Sequence, residues 1–171
     1  MEHSPTSRQS VDALTGLYTW PEFERQQRAA AARVTRHGGA LGLVIFELDN
    51  FSELSHRLGA EGSNNMLRQI ATLLERNVRA SDVLAHWNGP RFAALAPALD
   101  LHETTGFAVK LRRLVAEYRY NGSGLISGSF GVTEYSPGEP LDAFTQRALG
   151  ALAHARSHGG NRVAAARAAQ N

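Results

Sequence analysis

A chain of 171 residues with 43% apolar content is long enough to bury a core of its own and too apolar to stay disordered. Its formal charge of +2 comes from 18 basic against 16 acidic side chains; Lys110 is the sole lysine, and no basic run is long enough to track a nucleic-acid backbone. The absence of cysteine excludes disulfides and thiolate metal sites, and no apolar stretch nears the roughly 20 residues of a membrane span, so a cytoplasmic protein with no membrane insertion and no nucleic-acid partner is expected.

Residues 1–11 are polar and contain Pro5. They read as a tail or linker, without the apolar segment of a signal peptide, and leave 12–171 as the domain. A turn-rich stretch at 12–18 precedes a helix over 21–35, with Pro21 in its first turn and Gly38 and Gly39 ending it. ALGLVIFEL at 40–48 is apolar without a helical period, which predicts a buried central strand. A short helix over 49–58, closed by Gly59, is followed from Ser63 by a second one. Its inner face is marked by Met66, Leu67, Ile70, Leu73, Leu74 and Val78 at three- and four-residue spacing. Strands at 83–87 and 91–96 flank an Asn88-Gly89 pair of the kind that turns a two-residue hairpin. A helix over 102–119, a glycine-interrupted strand over 126–135, a loop over 136–140, a helix over 141–157 and an edge strand from Val163 complete the chain. Hairpin pairing combined with helical crossovers predicts an α/β fold, with a mixed sheet covered by helices on a ferredoxin-like core.

The stretch RASDVLAHWNGPRF at 79–92 carries two features of chemical interest. Arg79 and Asp82 stand three positions apart before the first hairpin strand, and the turn carries Pro90 and Arg91. Taken alone, an Arg-x-x-Asp pair is an exposed ion pair of little energetic weight. Two placements fit Trp87 beside His86: over a pocket, or exposed at the hairpin end. His154 and His158 share a helical face without a third metal ligand in view, so a solvated face is expected there.

The chain resembles the GGDEF domain of diguanylate cyclases from Asp12 to Val163. The resemblance rests on DALTGL at 12–17, SFGV at 129–132 and ALAHARSHGGNRV at 151–163, with matching spacing between them. It implies the fold already given. It also implies that Asn88, Gly89, Pro90, Arg91 and Phe92 stand at the family's signature hairpin, with proline at a metal-coordinating carboxylate and arginine at the next one. The first metal aspartate becomes Glu47, while Asp49 remains. Ser52 stands for a phosphate-side lysine, and Ser55 and Asn64 for the pair that grips guanine. Arg156 and Gly160 stand for two late phosphate-holding cations.

Joining two nucleoside triphosphates needs divalent cations held by carboxylates, so a catalytically inactive domain with no magnesium and no catalytic residue is expected. The family's inhibitory R-x-x-D lies five residues before the signature, and here Val83 to Trp87 supply those five. The resemblance therefore implies a bacterial cyclic di-GMP receptor in which Arg79 forks onto guanine, Asp82 accepts from its edge and Lys110 stands in for a supporting arginine. Arg76 and Arg113 are further candidates for that support. In the family an intercalated pair of ligands crosslinks two surfaces, which implies a homodimer or a partner signalling protein. Two alternatives stand beside this reading: a nucleotide-independent interaction or dimerisation module, and a GTP-binding regulatory domain.

Overall fold

The computed structural model describes residues 10–120 and 124–169. Of the sequence-defined tail, all but Ser10 and Val11 lies outside the described residues. The elements run α1 (Trp20–His37), β1 (Leu41–Leu48), α2 (Phe51–Glu75), β2 (Val83–Asn88), β3 (Arg91–Pro97), α3 (Leu101–Glu117), β4 (Gly128–Glu134), α4 (Leu141–Ser157) and β5 (Val163–Ala166). The five strands order as β2-β3-β1-β4-β5. β1 pairs antiparallel with β3 and β4, and β5 lies parallel to β4, so this is the expected mixed α/β sheet.

β1 is central and buried on both sides, which is why its sequence shows no alternation. Leu41, Leu43 and Ile45 face a core shared with Phe23, Ala30 and Val34 of α1 and Phe144, Ala148 and Leu152 of α4. Val44, Phe46 and Leu48 face the opposite core, with Met66, Leu67 and Ile70 of α2 and Leu111 and Val115 of α3. Register places Phe46 between Phe92 and Phe130, whose rings stack on it at 5.2 and 4.6 Å. Each fully buried ring contributes about 2–3 kcal/mol. The ladder also fixes where the strands end, and the site sits at those ends. Gly131 of β4 allows α4 to close on the sheet, because a side chain there would collide with the backbone of Ala148 and Leu152.

The two helices read over 49–58 and from Ser63 are both present within α2, meeting at a kink at Gly59, whose φ of 73° and ψ of 178° are not helical. The Ser63 hydroxyl bridges the kink by donating to the Gly59 carbonyl at 2.7 Å, with Ser55 Oγ in hydrogen-bond range at 3.1 Å. Asp49 belongs to the turn after β1, with Asn50 in the left-handed region at φ 54° before the helix starts. The hairpin loop is Gly89-Pro90, since Asn88 pairs with Arg91, and the register slips between His86 and Asn88 so that Trp87 forms a bulge. Proline in the turn moves the loop one residue beyond the Asn-Gly pair, and Gly89 supplies the positive φ of 47°. α3 begins at Leu101, where Asp100 and Glu103 form a capping box that the D-x-x-E spacing could have disclosed.

Candidate functional site

The C-terminal end of β1, the start of α2, the hairpin turn and the end of α4 enclose a cavity of about 990 Å³. Its lining includes Glu47, Asp49, Ser52, Ser55, Pro90 and Arg156. Cross-strand register puts Arg91 directly opposite Glu47. The guanidinium donates to Glu47 Oε2 from Nε at 3.1 Å and from a terminal nitrogen at 2.9 Å. The other carboxylate oxygen of Glu47 lies 3.4 Å from Arg156, whose side chain is 54% exposed. Asp49 is engaged just as fully. Ser127 Oγ donates to it at 2.6 Å, Ser129 Oγ at 2.7 Å and the Asn161 amide at 2.9 Å. Gly160, at φ 68°, brings that amide in, and a Cβ there would press on the Asp49 carboxylate.

These contacts decide what the cavity can hold. A magnesium or calcium ion needs several oxygen ligands free to turn towards it. Here Glu47 faces two guanidiniums and Asp49 accepts from three donors, so the residues present do not fit a divalent cation. Among the described residues no cluster of three or more His, Cys, Asp or Glu side chains is placed to hold a metal. Two carboxylates matched by two arginines leave a cavity of balanced charge, with serine hydroxyls on the α2 side.

Arg91 also lies over the Trp87 ring at 5.1 Å, a cation–π distance. Trp87 stacks face to face on Trp20 at 3.7 Å, and Trp20 stacks on Phe23. Trp87 takes neither expected placement: it is not among the residues lining the cavity, and it is half-buried against Trp20 because the bulge turns it towards the start of α1.

At the other end of β2, Arg79 and Asp82 form an ion pair at 2.8 Å. The Asp82 side chain is 1% exposed and also accepts from the Arg79 backbone amide at 2.8 Å. The Arg79 side chain is 47% exposed, and its guanidinium also donates to the Pro97 carbonyl at 2.8 Å. Lys110 of α3 reaches the same segment, donating to the Asn77 carbonyl at 3.3 Å.

A sequence model of the family described as diguanylate cyclase, GGDEF domain, matches residues 9–162. The chain belongs to the GGDEF domain family. Diguanylate cyclase DgcP of Pseudomonas aeruginosa is 30% identical over 166 residues, covering 94% of this chain and 25% of that protein. Diguanylate cyclase VdcA of Vibrio cholerae is 30% identical over 158 residues, covering 89% of this chain and 45% of that protein. This GGDEF domain thus spans a quarter to just under half the length of those relatives. Among solved structures, the coiled coil and GGDEF domain of DgcB from Caulobacter crescentus, in complex with c-di-GMP, superposes with a TM-score of 0.86 at 25% identity. That match covers 92% of this chain and 85% of the other.

In this GGDEF domain the structure brings Glu47, Asp49, Ser52, Ser55, Pro90 and Arg156 to one cavity, with Arg91 reaching in from β3. Asn64 is not among the lining residues, and Phe92 is wholly in the core. Asn88 and Gly89 lie exposed at the hairpin end. The partners of Asp49 were not foreseen. Ser129 stands in the quoted SFGV and Asn161 in the quoted GGN, but spacing does not disclose that both turn to one carboxylate. His154 and His158 stack on each other at 4.0 Å, with His158 Nδ1 tied to the His154 carbonyl at 2.8 Å, and no further metal-type ligand joins them among the described residues.

Proposed function

We infer that this chain is a catalytically silent GGDEF domain that receives cyclic di-GMP through Arg79 and Asp82, with Lys110 beside them, and works without magnesium in the bacterial cytoplasm. The observation that carries the silence is the register pairing of Arg91 with Glu47, which puts a fixed cation where metal chemistry needs a ligand. Both curated relatives named above are bacterial, and none of the described helices is long and apolar enough to cross a membrane.

The receptor role is supported by a half-exposed arginine side chain, a carboxylate paired with it and a lysine within reach of the same segment. A planar fork of this kind matches the O6 and N7 edge of guanine. The solved DgcB domain, which carries c-di-GMP, supplies the ligand class. For binding, Arg79 must release the Pro97 carbonyl and turn outward, which uncovers the carboxylate oxygens of Asp82.

Calorimetric titration of the chain with cyclic di-GMP is expected to give a Kd on the order of micromolar. Arg79→Ala should weaken it by about 10- to 100-fold. Sedimentation of the saturated chain should show a ligand-linked dimer. No heat from the parent would overturn the receptor reading and favour a nucleotide-independent interaction module. The burial of Asp82 is the observation on that module's side.

A further inference from the structure

The geometry points to His86 as a proton-operated latch, holding the N-terminal turn against the hairpin while its ring is an imidazolium and releasing it when the ring loses a proton. His86 is 8% exposed, and each ring nitrogen faces an oxygen. Nδ1 lies 3.0 Å from Asp12 Oδ2 in the N-terminal turn, and Nε2 lies 2.8 Å from the Gly89 carbonyl in the hairpin loop. A carbonyl and a carboxylate are both acceptors. Only a ring protonated on both nitrogens satisfies both contacts, because the neutral ring turns one lone pair onto an oxygen.

Asp12 is held as an acceptor by its other partners. Asp12 Oδ2 already accepts from the Thr15 amide at 3.0 Å and the Thr15 hydroxyl at 2.7 Å, which keeps it an acceptor towards His86. Burial pushes the Asp12 carboxyl up, but the Thr15 and His86 hydrogen bonds outweigh it and hold it below its ordinary value of 3.8. Asp12 therefore stays charged until strongly acid pH, well below the range in which imidazoles change charge. From β3, the Phe92 ring lies tilted 4.9 Å from the imidazole and carries no charge. Arg91, the nearest charged neighbour along β3, is paired with Glu47. On the N-terminal side, Tyr18 meets β2 through its backbone, accepting from the His86 amide at 3.1 Å and donating to the Leu84 carbonyl at 3.2 Å.

The latch lies beside those two backbone bonds along a single edge. It is the one that responds to protons. Its two ends belong to the segment through which the chain enters the sheet and to the turn that carries Pro90 and Arg91. Release frees the first from the second.

Hydrogen exchange of the Tyr18 and His86 amides, corrected for intrinsic rates, tests this between pH 5.5 and 8.5. In the parent, protection should fall by about tenfold as the ring deprotonates, the usual consequence of leaving a buried polar group unpaired. His86→Arg keeps a permanent cation and should hold its protection across the range. Asp12→Asn should be loosened already at pH 5.5 and lose most of the pH dependence. Near-UV circular dichroism gives a second readout, because the only two tryptophans, Trp20 and Trp87, are stacked on each other beside the latch. Protection that is flat with pH in the parent, or that falls equally in His86→Arg, would overturn the proposal.

Discussion

Asp49→Ala is expected to lower folding stability by about 3 kcal/mol, the upper end of the cost of removing a charged acceptor from part-buried donors. The carboxylate ties the turn after β1 to Ser127, to Ser129 of β4 and to the Asn161 amide before β5. Deleting it leaves two hydroxyls and an amide without their acceptor, and Ser129 is fully buried. The direction matters more than the size. Were Asp49 a metal ligand, its charge would be held near Glu47 for function at the expense of stability, and removing it would leave the apo protein unchanged or more stable. Urea unfolding of parent and variant at pH 7 separates the two. A midpoint shifted down with an unchanged slope is the expected result. Ser129→Ala, which removes one donor only, should cost about 1 kcal/mol.

Arg91→Glu should be the second large effect, costing about 2 kcal/mol at low salt, or roughly 4–8 °C in melting temperature for a domain of this size. Register sets Glu47 and residue 91 face to face, so the variant replaces a two-pronged ion pair with like charges across the strand. It also removes the cation from the open face of Trp87, whose other face rests on Trp20. The loss should shrink when salt is added, because part of it is repulsion, and Arg91→Gln should lose less. Thermal melts of the three proteins at two ionic strengths check this. Equal stability of Arg91→Glu and Arg91→Gln at low salt would mean that the Glu47 contact carries no weight.

What could be read from the sequence divides along physical lines. The central strand declared itself because a strand buried on both faces has no alternation, and β1 is such a strand. The Asn88-Gly89 pair pointed to a turn, yet proline at position 90 and the bulge at Trp87 moved the loop by one residue. Gly59 was legible as a helix end because glycine takes a positive φ without strain, and the structure breaks the helical backbone there; the Ser63 hydroxyl of the helix that follows donates to the Gly59 carbonyl. For the site, the family resemblance pointed to Glu47, Asp49 and Arg91, and the structure brings the three to one end of β1. Pairings that depend on long-range register, such as Glu47 with Arg91 and Asp12 with His86, have no local pattern and became visible only with the sheet assembled.

The carboxylates at the end of β1 are already committed to protein donors. Binding of Mn²⁺, a spectroscopic stand-in for magnesium, tests that directly and does not depend on whether the domain dimerises. Paramagnetic resonance of free Mn²⁺ should be undiminished by the protein, and with GTP present the protein should bind no Mn²⁺ beyond what the nucleotide binds alone. Stoichiometric loss of the free-ion signal, abolished by Glu47→Ala or Asp49→Ala in chains that remain folded, would contradict it.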